Sequence, residues 1–94
     1  MKVVWTELSL DDLAEINDWI AREQPSTALL VSLRILDAVE SLADHPLLGR
    51  AGRVAGTREF AVPKTPFLVF YIVEDDSLRV LRVLRGRRGV LPDL

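Results

Sequence analysis

The segment GRAGRVAGTREF, residues 49–60, divides the chain into two halves of different character. Before it, apolar residues recur at helical spacing, and after it come two apolar runs with the composition of β-strands. Its three glycines are interspersed with three arginines, and glycine adopts positive φ angles at little cost. The segment is therefore predicted to turn tightly and then to enter a strand over Val54–Val62.

Two helices are predicted before this segment. Ser9 and Asp12 resemble a capping box, in which each side chain accepts a hydrogen bond from the other residue's backbone, so the first helix is expected to start there and to run to about Glu23. Pro25 suits the first turn of a second helix, since its missing N–H is not needed there. Pro46 disfavours helical geometry at the residue before it, which predicts that the second helix ends at about residue 44.

The second helix carries more apolar surface than one neighbouring helix can cover. One line of its apolar positions is Leu29, Leu33 and Leu36, and a second line consists of Ala28, Val31, Ile35, Val39 and Leu42. Together these positions occupy more than half of the helix circumference, and so wide an arc requires additional cover.

Three more strands are predicted, over Lys2–Trp5, Phe67–Glu74 and Leu78–Arg85. The polar residues 74–77 form a turn, so the last two strands make a hairpin. The run at residues 67–73 is apolar on both faces, which is typical of a central strand covered on both sides. The two helices account for one side, and no other segment is an obvious cover for the second.

Composition limits the class of protein. Ninety-four residues suffice for a single domain, here residues 1–94, in which residues 86–94 lack periodicity and are expected to form a loosely ordered tail. No apolar run approaches the roughly 20 residues that a membrane-spanning helix needs. There is no cysteine, and no apolar signal region follows Lys2, so we expect a cytoplasmic protein without disulfides.

The two halves carry opposite charge. Residues 1–48 hold three bases and nine acids, a net charge of −6, whereas residues 49–94 hold nine bases and five acids, a net charge of +4. Five arginines and no acid lie within Arg79–Arg88. This polarity favours an anionic partner at the basic end, with a solvated rim of charge as the alternative.

The sequence offers little for metal or nucleophilic catalysis. His45 is the only histidine and precedes a proline, and no set of side chains has the spacing of metal ligands. No metal and no cofactor are therefore expected. Arg58 and Arg82 alternate with apolar residues in their strands, so each needs a partner. That partner is either an acid of the chain, such as Glu59 or Asp37, or an anion on another molecule.

The chain resembles the RelE/ParE family, the small toxins of bacterial toxin–antitoxin modules. The likeness extends over nearly the whole chain, and its densest part is Gly49-Arg50, Gly52-Arg53-Val54, Gly56-Thr57-Arg58-Glu59, Pro66, Val69, Tyr71 and Leu81-Arg82-Val83-Leu84. The resemblance implies an α+β fold in which two N-terminal helices pack on a small antiparallel sheet of about four strands. It also implies an antitoxin that wraps over the toxin, and we expect Leu29, Leu33 and Leu36 to contribute to that contact.

The family divides by activity. RelE-like members cleave messenger RNA on the ribosome with basic residues of the sheet, and the matching positions are Arg58 and Arg82. Cleavage through the 2′-hydroxyl also requires proton transfer, which a permanently protonated arginine does not perform. Lys64 and Tyr71 are the remaining candidates for that role, so ribonuclease activity is disfavoured but stays open.

ParE-like members inhibit DNA gyrase by binding, which requires a surface and no proton transfer. The glycine–arginine signature and the arginine-rich ending look closer to this branch. The resemblance then places Arg85, Arg87 and Arg88 in the target-facing surface, although Arg85 stands where many relatives have histidine. A third possibility is a non-toxic member that acts only as a binding partner.

Overall fold

The computed structural model describes residues 1–86. In chain order, the elements are β1 (Lys2–Trp5), α1 (Glu7–Ala21), α2 (Pro25–Asp44), β2 (Arg50–Ala51), β3 (Arg58–Ala61), β4 (Phe67–Glu74) and β5 (Ser77–Arg85). The bounds predicted for α2 and β4 are confirmed, and β5 begins one residue earlier than expected. None of the helices described here is long and apolar enough to cross a membrane.

The strands of residues 1–86 form one sheet in the order β1-β5-β4-β3-β2. β4 pairs antiparallel with β3 and β5 and is the central strand, as predicted. β1 runs parallel to β5, because the two helices lie between them in sequence and allow the crossover that parallel pairing requires. The α+β class is confirmed, but the expected sheet of about four antiparallel strands is a mixed sheet of five. The additional strand, β2, has only two residues and is too short to show a periodic pattern.

The capping box predicted at Ser9 is wrong. Thr6, the residue after β1, is the N-cap of α1, and its Oγ1 accepts a hydrogen bond from the Ser9 backbone N–H at 3.2 Å. The Thr6 hydroxyl also lies within donating distance of the Val80 and Leu81 carbonyl oxygens, at 2.8 and 3.0 Å. This one side chain therefore starts the helix and attaches it to β5, and the Ser9 hydroxyl donates back to the Thr6 carbonyl at 2.8 Å.

The glycine–arginine segment forms more turn and less strand than the prediction of Val54–Val62. The backbone N–H of Thr57 donates to the Val54 carbonyl at 3.0 Å, and Gly52 donates to the Thr57 carbonyl at 2.8 Å. Gly56 has a φ of +83°, a value that favours glycine. These contacts close a loop between β2 and β3, so regular pairing with β4 begins only at Arg58.

One face of the sheet packs on the helices and forms the core. The second apolar line of α2 is buried there, with Ile35 and Leu42 at 0% exposure against Tyr71, Leu78 and other residues of β4 and β5. The line of Leu29, Leu33 and Leu36 points away from this core, at 62%, 48% and 43% exposure. The predicted excess of apolar surface on α2 is therefore confirmed.

The opposite face of β4 is better covered than the sequence indicated. Leu68 and Phe70 are 2% and 1% exposed within the single chain. Glu59, the cross-strand neighbour of Phe70, is also buried, and its carboxylate lies 2.9 Å from the Nε of Arg50. The expectation that this face lacks cover from its own chain is therefore wrong at these positions.

Candidate functional site

The open edge of β5 is closed by a carboxylate of α1. β1 stops pairing with β5 at Val80, and a bulge follows in the pairing of β5 with β4. Beyond this point the backbone N–H of Val83 donates to Asp12 Oδ2 at 3.0 Å. Because a buried N–H without a partner is costly, Asp12 takes the place of the missing strand neighbour. The sequence assigned Asp12 to a capping box, and that interpretation is wrong.

The same carboxylate holds Arg82. The Nε of Arg82 donates to Asp12 Oδ2 at 2.8 Å, and its Nη2 donates to Asp12 Oδ1 at 2.9 Å, a two-point arrangement that suits a planar guanidinium. The Asp12 side chain is 8% exposed and that of Arg82 is 27% exposed. The hydrogen bonds to Asp12 raise the pKa of Arg82 above its ordinary value. Arg82 thus has an internal acid as its partner, although neither of the acids that the sequence suggested.

Tyr71 is the centre of a second group of hydrogen-bonded residues, which lies in the core. Its hydroxyl donates to the Pro46 carbonyl at 2.8 Å and accepts from the Gly49 N–H at 2.9 Å. The side chain is fully buried, and burial raises the pKa of its hydroxyl. A Cβ at Gly49 would collide with this hydroxyl and with the Glu59 carbonyl, so only glycine fits there.

Arg58 belongs to this second group. Its Nη1 donates to the Gly49 carbonyl at 2.7 Å, while Gly49 donates its N–H to Tyr71. Arg58 and Tyr71 are also cross-strand neighbours on β3 and β4. The acid suggested as a partner for Arg58, Glu59, pairs instead with Arg50.

The four residues named for a ribonuclease are not gathered around one space. Arg58 and Tyr71 share Gly49, whereas Arg82 is held by Asp12 at the α1 side of β5. Lys64 lies in the turn between β3 and β4 with a φ of 62°, and its side chain is exposed. Within residues 1–86, no group of histidine and acidic side chains could hold a metal ion.

A groove of about 560 Å³ lies between α1 and the end of β5. Its walls include Trp19, which is 57% exposed, and Arg85, whose guanidinium carbon lies 5.3 Å from the centre of the Trp19 ring. Phe67 and Val83, both buried, line it as well. Of the three arginines predicted to face a target, Arg85 lies here, and Arg87 and Arg88 lie outside the described residues, as does most of the predicted tail at 86–94.

Sequence reasoning missed the roles of Asp12, Trp19 and Gly49 as contact residues. A signal existed for Asp12, since an arginine among apolar strand residues demands a buried acid. Its position 70 residues away from Arg82 gave no local pattern that could identify it.

The chain is similar to known toxins along most of its length. Residues 3–90 match the sequence model of the ParE toxin of the type II toxin–antitoxin system parDE. Toxin RelE2 of Caulobacter vibrioides is 36% identical over 87 residues, which cover 93% of this chain and 97% of the relative.

Solved structures agree with this relationship. A chain of the chromosomal ParDE toxin–antitoxin system from P. aeruginosa superposes with a TM-score of 0.84 at 27% identity, over 93% of this chain and 97% of the other. The intact RelBE toxin–antitoxin complex from E. coli contains a chain with the same fold, at a TM-score of 0.65 and 14% identity over 93% and 98% of the two chains. The fold, the arginines of the sheet and these matches together show that the chain belongs to the ParE toxin family of type II toxin–antitoxin systems.

Proposed function

We propose that this toxin inhibits bacterial growth by binding DNA gyrase and that a cognate antitoxin neutralises it. The observation that carries the choice of target is the engagement of Tyr71. Proton transfer to or from RNA requires a group that reaches the substrate with a pKa near the working pH. The Tyr71 hydroxyl is buried, bonded on both sides to backbone groups, and shifted to a raised pKa.

The basic residues of the sheet also favour binding over cleavage. Arg82 donates two hydrogen bonds to Asp12, and Arg58 donates one to the Gly49 carbonyl. Neither side chain exchanges protons near neutral pH, so both serve as electrostatic groups only. Inhibition by binding needs none of these groups to react, and Arg85 with the sequence-adjacent Arg87 and Arg88 offers a basic contact region.

The exposed line on α2 supports an antitoxin contact. Leu29, Leu33 and Leu36 are about half exposed in the isolated chain, and Leu30 beside them is 47% exposed. Adjacent leucines left in water on one helix are typical of a surface that a partner covers. We propose that a segment of the antitoxin packs on this line, and that the encounter with both partners takes place in the cytoplasm.

The decisive experiment separates gyrase from the ribosome. The chain is induced alone in bacteria, and the purified toxin is titrated against DNA gyrase in a supercoiling assay, while primer extension maps the ends of cellular messages. We expect growth arrest, inhibited supercoiling and intact messages. A matched chain with Arg85, Arg87 and Arg88 changed to glutamate should lose the inhibition.

Arrest with normal supercoiling and new codon-associated message ends would overturn the proposal. It would assign ribosome-dependent cleavage to Arg58, Arg82, Lys64 and Tyr71 instead. Growth without arrest, at a confirmed level of folded protein, would indicate a non-toxic binding partner.

A further inference from the structure

The groove between α1 and β5 contains an exposed tryptophan with an arginine above it. Trp19 is 57% exposed, although tryptophan is one of the residues that proteins most often bury, at least in part. The guanidinium of Arg85 lies 5.3 Å from its ring centre, which is within the range of a cation–π contact. Tryptophan and arginine are also the residue types most enriched among the energetically dominant positions of protein interfaces.

Two contacts between α1 and β5 hold this pair in place, and the distance between the two contacts is nearly the same along the helix and along the strand. Asp12 and Trp19 are seven residues apart on α1, a rise of about 10.5 Å along a helix. Arg82 and Arg85 are three residues apart on β5, about 10 Å along a strand. Because the two spacings match, α1 lies alongside β5. Asp12 is hydrogen-bonded to Arg82, and Trp19, farther along the helix, contacts Arg85.

The contact with Trp19 leaves Arg85 with hydrogen-bond donors to offer. A guanidinium carries five N–H donors, and a cation–π contact with a ring provides none of them with an acceptor atom. Glu15 and Asp18 also line the groove, but no carboxylate of residues 1–86 lies within salt-bridge distance of Arg85. The planar fork of N–H groups matches a carboxylate in two-point geometry. The exposed part of the Trp19 ring provides an apolar surface directly beside it.

We propose that Trp19 and Arg85 form one contact site for the protein target, and that the occupant is a segment with a carboxylate next to an apolar side chain. The carboxylate accepts hydrogen bonds from the Arg85 fork, and the apolar side chain packs on Trp19 and enters the groove. This inference rests on the proposed function, because it assigns the groove to a target that is a protein. The pair is pre-organised by the Asp12–Arg82 contact, which lowers the ordering cost of binding.

Variants at Trp19 test the site with purified toxin and DNA gyrase. We expect Trp19→Ala to raise the concentration for half-inhibition of supercoiling about tenfold, as the loss of a central aromatic contact does. Trp19→Phe retains an aromatic face and should stay within about threefold of the original chain. Asn17→Ala, at an exposed position of the same helix that does not line the groove, is the matched control.

A double-mutant cycle, combined with thermal melting of the variants, distinguishes a shared site from a structural role. If Trp19 and Arg85 hold the same segment, Trp19→Ala combined with Arg85→Ala should be little worse than either single change. Thermal melting and antitoxin binding of all variants should stay close to those of the original chain. Additive losses, or a Trp19→Ala chain that inhibits as well as the original, would overturn the site while the gyrase proposal stands.

Failure of the proposed function gives a different result. If the original chain leaves supercoiling intact and cleaves messages, the target is RNA, and the proposed protein segment is overturned together with gyrase. If it arrests growth with supercoiling and messages both intact, gyrase is the wrong target. Relief of that arrest by Trp19→Ala but not by Asn17→Ala would then support the Trp19–Arg85 site for a different protein.

Discussion

Arg82 and Arg85 lie three residues apart on β5, and they make different kinds of contact with α1. Arg82 meets a buried carboxylate and is fixed by two hydrogen bonds. Arg85 lies over the ring of an exposed tryptophan and forms no salt bridge within residues 1–86. These two arginines of the same strand, each preceded by Val-Leu in the sequence, thus have different roles, because Arg82 maintains the fold and Arg85 belongs to a surface.

The same distinction, between residues with partners inside the chain and residues left open to solvent, applies to the two apolar lines of α2 and to Tyr71. The buried line and Tyr71 are satisfied within the chain. The line of Leu29, Leu33 and Leu36 remains in water. If this distinction is correct, changes at internally satisfied residues should reduce stability, and changes at open residues should reduce binding with little effect on stability.

The largest effect on stability is expected at Asp12. Asp12→Ala leaves the Arg82 guanidinium and the Val83 N–H without their acceptor, and removal of one partner from a buried ion pair costs about 3 kcal/mol of unfolding free energy. Urea denaturation of the purified toxin measures this loss. The control is Asp11→Ala, which removes the same charge from the neighbouring exposed position and should change stability by less than about 0.5 kcal/mol.

A cycle with Arg82 sharpens the Asp12 test. Asp12→Ala and Arg82→Ala combined should cost clearly less than the sum of the two single changes, with a coupling of about 1–2 kcal/mol. Equal stability of Asp12→Ala and Asp11→Ala would show that the contact contributes nothing and that Arg82 is as open as Arg85.

The next largest effect concerns binding at the open leucine line. Leu33→Asp places a charge where the antitoxin is proposed to pack, and we expect a loss of about 2 kcal/mol in affinity, roughly 30-fold in Kd. Titration of the variant with the cognate antitoxin, by calorimetry, gives the change. Its melting temperature should stay near that of the original chain, because the side chain is 48% exposed.

The matched control for the leucine line is Leu8→Asp, the same change at a leucine of α1 that is 58% exposed. We expect it to alter the antitoxin Kd less than threefold. An equal loss from both variants would show that the line on α2 is not a distinct docking surface. The exposed side of α2 would then have no specific role in binding.

Sequence reasoning performed well where structure depends on local pattern. The bounds of α2 follow from Pro25 and Pro46, and the central position of β4 follows from its apolar run. It failed where partners are distant in sequence. Thr6 was passed over as the N-cap, and its hydroxyl contacts the middle of β5, more than 70 residues away in the sequence. The Asp12 carboxylate was assigned to the helix end rather than to Arg82.

The candidate site was only partly predictable for the same reason. Charge predicted a basic end of the chain and periodicity predicted a second apolar line on α2, whereas their assignment to contacts came from the resemblance to the RelE/ParE family. Sequence reasoning gave no indication of Trp19 beneath Arg85, since the alignment of α1 with β5 is fixed by tertiary contacts. It also left open whether Arg58 and Arg82 had internal partners, which only the packing of Gly49 and Asp12 decides.

The smallest expected effect tests Tyr71, the internal counterpart of the open residues. Tyr71→Phe removes the hydroxyl from the buried Gly49 N–H and the partly buried Pro46 carbonyl, and the loss of both partners should cost about 1.5 kcal/mol at pH 7. Denaturation of the variant measures the loss. Thr27→Val, which removes a hydroxyl from an exposed contact with Gln24, is the control and should change stability by less than about 0.5 kcal/mol.

The dependence of this difference on pH identifies its cause. Burial raises the pKa of Tyr71 in the folded chain above its ordinary value of about 10, so in alkaline solution the unfolded chain loses the proton first. The stabilisation is therefore fully present below pH 10 and is lost as the pH rises through the raised pKa of the folded state. Tyr71 is the only tyrosine, and the two chains are otherwise identical, so the stability of the original chain should fall toward that of Tyr71→Phe above pH 10. Parallel pH profiles for the two chains would mean that the hydroxyl is not held in the core and that Tyr71 is open to a substrate.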